Sequence, residues 1–154
     1  METIESKVAG AVLEKAIPVT VGGKIYKIAP PTTETLILVS EKIAELPVDW
    51  QGDVFDAVLR NAKDCRALGD IAAILVLGAA RIESNRPKWL KKDQAALAKH
   101  LLNTVSIAGL KLIIKTGLSS LGVGDFFGLT TSLIDVNLLK RTKAEVVKTT
   151  ASGQ

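Results

Sequence analysis

Apolar and polar positions alternate as strands do only near the start of this chain. Val19-Thr20-Val21 and Lys24-Ile25-Tyr26-Lys27-Ile28 carry the period of two that belongs to strands. Gly22-Gly23 lies between them and supplies the positive φ that a two-residue hairpin turn demands, so residues 17–28 are expected to form a β-hairpin. Pro30-Pro31 then stops the second strand, and Thr32 or Thr33 offers a hydroxyl to the first amides of a helix. From there the spacing turns helical. Leu36, Val39, Ile43 and Leu46 recur at steps of three and four, with Glu34, Glu41, Lys42 and Glu45 on other faces, until Pro47.

The helical period continues beyond the loop at Trp50-Gln51-Gly52. Asp53 is the expected N-cap of a helix whose stripe is Phe55, Val58, Ala62 and Cys65, widened by Val54 and Leu59. Gly69 is expected to break or bend the chain. The segment Asp70–Ile82 is apolar nearly all round, which predicts a central helix buried by its neighbours. Ser84-Asn85-Arg86-Pro87 reads as a loop. A helix resumes at about Leu90 or Asp93, carrying Leu97, Leu101, Leu102 and Val105. Gly109, Gly117, Gly122 and Gly124 punctuate the next stretch, so residues 106–124 read as a helix with an irregular end. Asp125 is expected to cap a last helix with Phe126, Leu129, Leu133 and Val136 on one side and Phe127, Ile134 and Leu138 widening that stripe. At the N-terminus, Ile4, Val8, Ala11 and Val12 suggest a short helix that Gly10 weakens. The predicted fold is therefore mainly α with a short N-terminal β-hairpin, an α+β class. It is read as a compact bundle of about five to six helices over residues 33–141, within a single domain spanning 1–154. The polar segment 142–154 is expected to be a flexible tail.

Composition narrows the classes. With 154 residues and 47% apolar content, the chain can bury a core in one domain. The single Cys65 excludes an intramolecular disulfide and any zinc site needing several thiolates, and suits a reducing compartment. METIESKVAGAVLEKA carries acids and lacks an apolar stretch of signal-peptide length. The longest apolar run, residues 71–80, falls short of the roughly 20 residues that cross a bilayer. A second, residues 105–121, is interrupted by Lys111 and Lys115, so no membrane association is expected. Charge is unevenly placed: residues 1–84 hold nine Lys/Arg against twelve Asp/Glu, whereas residues 85–154 hold eleven against four. That polarity favours head-to-tail contacts or an anionic partner for the second half.

Catalytic and ligand chemistry finds few residues to work with. His100 is the only histidine available to activate a nucleophile, and it lies beside Lys99 on an amphipathic helix. Cys65 sits on an apolar stripe, where a small buried hydrophobe is its default role. Asp49, Asp53 and Asp56 are close, yet no calcium-loop spacing with a closing glutamate comes after them. In Leu121-Gly122-Val123-Gly124-Asp125, the position where a dinucleotide fingerprint needs a third glycine or alanine is Phe127. Asp125 would also repel a phosphate at a helix start. Lys88, Lys91, Lys92, Lys99, Lys140, Arg141, Lys143 and Lys148 give a basic second half with only Trp89 interleaved, which can hold phosphate but not read sequence. The expectation is a non-enzymatic protein with no catalytic residues, metal or cofactor, in which protein binding is favoured over a nucleic-acid role.

Gly22-Gly23-Lys24-Ile25-Tyr26-Lys27-Ile28, then Pro30-Pro31-Thr32 and a helical remainder, resembles tail assembly chaperones and related small accessory proteins of tailed bacteriophages and prophages. Asp125-Phe126-Phe127-Gly128-Leu129-Thr130-Thr131-Ser132-Leu133, Asn137-Leu138-Leu139-Lys140 and the polar finish Thr150-Ala151-Ser152-Gly153-Gln154 look like the end of such proteins. Residues 47–124 match only in helical character. The resemblance implies a protein in the cytoplasm of a bacterial host. It would hold the aggregation-prone tape-measure protein soluble and recruit tail-tube subunits. Leu36, Val39, Ile43, Phe126 and Phe127 are then the candidate partner contacts, and self-association stays open. Two alternatives accompany this reading: a structural tail-completion subunit forming an oligomeric ring, and a nucleic-acid-binding phage accessory protein.

Overall fold

The computed structural model describes residues 15–83 and 92–136. The chain divides into two compact units, one ending at Leu121 and one beginning at Gly122. The expected bundle over 33–141 thus extends across both. The expected short helix before residue 15, the loop at Ser84–Pro87, Leu138 and the tail 142–154 lie outside the described residues.

The first unit opens with β1 (Ile17–Val21) and β2 (Lys24–Ile28), which pair antiparallel with Val19 opposite Tyr26 and Val21 opposite Lys24. Gly22 and Gly23 join them at φ 56° and 76°, the two positive angles that match a turn to the twist of its strands. The alternation decides which face is buried: Val19 and Ile28 are in the core, with Val21 and Tyr26 packed against it, while Thr20, Ile25 and Lys27 face outward.

Thr32 caps α1 (Thr33–Ala44), and its side-chain oxygen accepts from the Thr35 amide at 3.2 Å. Thr35 reciprocates by accepting from the Thr32 amide at 3.4 Å, so a threonine fills the place that Glu or Gln takes in the usual capping box. Asp53 caps α2 (Val54–Asn61) as expected, its Oδ2 accepting from the Phe55 amide at 3.0 Å. A single 3-10 turn (Ala62–Asp64) leads on to α3 (Ala67–Leu77), and α4 (Ala79–Glu83) comes at once after it. Next come α5 (Lys92–Thr104) and α6 (Ile107–Ser120), the latter capped by Ser106, whose Oγ accepts from the Gly109 amide at 3.1 Å.

α3 is the buried centre. Ala67, Gly69 and every residue from Ile71 to Leu75 are buried, with α1, β2, α5 and α6 packed around them. One core cluster joins Val19 and Ile28 to Ala72, Ala73, Ala98, Leu101, Leu110 and Ile113; the other gathers Val39, Ile71, Ile74, Leu75 and Leu121. The protein is thus mainly helical with an N-terminal antiparallel hairpin, in the α+β class that the sequence implies.

Three local expectations within the first unit need correction. First, the central helix does not run unbroken to Ile82. It ends at Leu77 because Gly78 adopts φ 76°, ψ 151°, a region open almost only to glycine. An uninterrupted helix would pair the Ala79 amide with the Leu75 carbonyl. Instead Leu75 O accepts from the Ala29 amide at 3.1 Å, and the Ala79 amide donates to Thr35 Oγ1 at 3.3 Å. The β2–α1 connection therefore satisfies both halves of the severed bond, as buried backbone requires. The extra break helps bring the helices among the described residues to seven.

Second, Gly69 bends nothing; it lies within α3, where a Cβ would stand 2.7 Å from Leu102 Cγ and 2.9 Å from the Ala98 carbonyl oxygen. Its absent side chain lets α5 approach. Third, the stripe predicted on α2 is not turned inward. Only Ala57 of that helix is buried.

The second unit contributes α7 (Val123–Val136). Asp125 lies inside its first turn rather than at its cap. Thr130, Thr131 and Ser132 donate their hydroxyls to carbonyls of Phe126, Phe127 and Gly128 one turn back, so these polar side chains are occupied by their own helix. Among the described residues, no single helix is long and apolar enough to cross a membrane.

Candidate protein-binding surfaces

The residues expected to contact a partner are scattered in their exposure. Val39 is 1% exposed and belongs to the core, which removes it from any surface in this fold. Leu36 is half-buried against the second core cluster. Ile43, one turn beyond Val39, is exposed. On α7, Phe126 is half-buried and Phe127 exposed, alongside Leu129, Leu133 and Ile134.

A denser apolar surface lies on the loop 47–53 and the predicted stripe of α2. Val48, Trp50, Val54, Phe55, Val58 and Leu59 are all exposed, Phe55 to 70% and Val54 to 77%. Residues 54, 55, 58 and 59 share one side of α2 by helical geometry. The side chains around them fasten the segment to itself. Trp50 Nε1 donates to the Pro47 carbonyl at 2.7 Å, Arg60 Nη2 to the Gln51 carbonyl at 2.8 Å, and Asn61 Nδ2 to the Asp49 carbonyl at 2.7 Å. Loop 47–53 and α2 are thus tied together by polar bonds while their large apolar side chains meet water. Burying one such side chain releases about 1.5–3 kcal/mol, so a surface this rich favours a covering partner.

A second feature is a groove of about 570 Å³ lined by Leu68, Ile114 and Leu118, with Lys111, Lys115 and Ser119 at its rim. Lys111 and Lys115 are the only charged residues of α6 and stand one turn apart. Among the described residues neither makes an ion pair, whereas on α1 Lys42 Nζ pairs with Glu45 Oε1 at 2.8 Å. That hydrogen bond to the Glu45 carboxylate raises the Lys42 ammonium above its ordinary pKa.

The remaining chemistry-bearing residues are engaged locally. Asp49 Oδ1 accepts from the Gln51 amide at 3.2 Å and Asp53 serves as a cap. Cys65 is half-buried and its thiol donates to the Asn61 carbonyl at 3.2 Å. His100 is half-buried on α5. Among the described residues, no three His, Cys, Asp or Glu side chains gather as a metal-holding group.

Sequence reasoning missed the exposure of α2 because an amphipathic period signals a face to be covered, without saying whether the cover is intramolecular. The loop supplied a hint: Trp50 and Val48 beside Asp49 and Gln51 place apolar bulk where no core helix is predicted. The α6 groove had a clearer signal in the four-residue spacing of Lys111 and Lys115 within an otherwise uncharged stretch. Compared with protein-family models, curated proteins and solved structures, the chain matches none of them.

Proposed function

We propose that this protein acts without catalysis, by binding other proteins during the assembly of a bacteriophage tail, where it keeps a helix-rich tape-measure protein soluble and engages tail-tube subunits. The observation that carries the reading is the outward apolar side of α2, Val54, Phe55, Val58 and Leu59, set on a loop held by its own hydrogen bonds. A pre-fastened apolar face accepts the apolar stripe of an amphipathic client helix with little ordering cost. The hairpin-to-helix and C-terminal motifs resembling tail assembly chaperones support the same reading from the sequence side, through Gly22–Ile28 and Asp125–Leu133.

The test is affinity capture of the full chain in its native expression context, with mass spectrometry of the proteins it retains. Recovery of a very long, helix-rich tape-measure protein, lost in the double variant Phe55→Ser, Leu59→Ser, is the expected result. Both positions are exposed, so the variant should fold. Retention of the same partners by the double variant would remove α2 from the mechanism, and recovery of no tail protein would end the proposal.

A further inference from the structure

The α6 groove is separate from the α2 face, and its chemistry specifies a different partner. Its floor is aliphatic: Leu68 comes from α3, and Ile114 and Leu118 lie one turn apart on α6. Its rim carries two exposed ammonium groups, Lys111 and Lys115, again one turn apart. Like charges at this spacing disfavour the helix. Among the described residues no carboxylate answers them by an ion pair. A residue pattern that places two unanswered cations beside an open aliphatic strip is complementary to one ligand geometry. That geometry is a helix with an apolar stripe and, along one edge of it, carboxylates repeated every third or fourth residue.

We infer that the groove between Leu68 of α3 and Ile114 and Leu118 of α6 is a docking site for an acidic amphipathic helix of a partner protein, with Lys111 and Lys115 pairing to carboxylates one turn apart on that helix. The groove is open, so the ligand enters sideways rather than by threading. The two lysines fix its rotation about its own axis, because only one edge of the stripe bears the acids. Each lysine sits at the surface, where ion pairs remain exposed to salt, so the charge contribution acts on encounter and orientation while the aliphatic floor supplies the holding force. The inference is independent of the tail-assembly reading, since it names a ligand chemistry and a surface that α2 does not touch.

The test uses the full chain and a synthetic fluorescent helical peptide of roughly 18 residues, or about five turns, with leucines at steps of three and four and glutamates flanking that stripe one turn apart. A twin peptide carries lysine in place of each glutamate. Fluorescence anisotropy is expected to show the glutamate peptide binding about tenfold or more tightly than its twin, a margin that shrinks as salt rises. The double reversal Lys111→Glu, Lys115→Glu changes only exposed positions and is expected to invert the preference, with an unchanged circular dichroism spectrum. Equal affinity for both peptides, or the same preference before and after reversal, would overturn the assignment. So would loss of peptide binding in Phe55→Ser, Leu59→Ser with no effect of the lysine reversal, which would place the ligand on α2. Occupation of the groove by a second copy is the other refuting outcome, seen as a dimer in sedimentation that the lysine reversal dissolves while neither peptide binds.

Discussion

Replacing Thr35 by valine isolates the bond that terminates the central helix. The side chain is 2% exposed and its shape is preserved, but the oxygen is gone. Thr35 Oγ1 accepts from the Ala79 amide at 3.3 Å and from the Thr32 amide at 3.4 Å, and lies 3.0 Å from Thr32 Oγ1. Thr32 is exposed, so its own groups return to water at small cost. Ala79 is 3% exposed, and Gly78 has already turned its amide away from the Leu75 carbonyl. An orphaned buried donor costs about 1–3 kcal/mol. The added methyl offsets at most about 0.8 kcal/mol. The net expectation is a loss of about 1–2 kcal/mol in urea unfolding monitored by circular dichroism, with an unchanged m-value. Thr35→Ser provides the control, because it keeps the oxygen and removes only a methyl. Native-state hydrogen exchange then separates the two: the Ala79 amide stays protected in the serine variant and exchanges faster in the valine variant. A valine variant within about 0.5 kcal/mol of the parent, with Ala79 still protected, would refute this account of the helix break.

The same packing sets the outcome of three further substitutions. Gly78→Ala forces a side chain into φ 76° and sets its Cβ 2.9 Å from that of Ala29, so urea unfolding should show a loss of about 2 kcal/mol or more. Ile113→Ala empties a site with 0% exposure in the first core cluster, and chemical denaturation should register about 2–5 kcal/mol. Lys42→Met removes an exposed ion pair and should change stability by no more than about 0.5 kcal/mol near neutral pH. Because the Glu45 hydrogen bond raises the lysine above its ordinary 10.5, the parent's small advantage is whole below that value and fades as pH climbs through the folded pKa; a difference that grew with alkalinity would contradict the pairing.

Much of the architecture was legible because it rests on local rules. The paired glycines dictated the hairpin, Asp53 marked a helix start, and the nearly all-round apolar character of residues 70–82 marked the centre, although the helix there stops at Leu77. The hidden features depend on residues distant in sequence. Gly78 reads as one more small residue within an apolar run until Ala29 and Thr35 arrive to take the bonds it frees. Gly69 looks like a breaker until Ala98 and Leu102 are found against it. The amphipathic stripes of α1 and α2 have the same period, yet Val39 is buried and Phe55 is not. Periodicity reports that a face is apolar, and only the tertiary arrangement says what, if anything, lies over it.

The self-fastened loop before α2 has a consequence for how this protein can change over generations. Its ties run from Trp50, Arg60 and Asn61 to carbonyls of Pro47, Gln51 and Asp49, all within the same short stretch. The segment behaves as a cassette whose outward residues can be exchanged for others without disturbing α3 or the hairpin. Under the proposed function, a lineage meeting a new client can rewrite Phe55 or Leu59 by single steps, and its folding will not record the change.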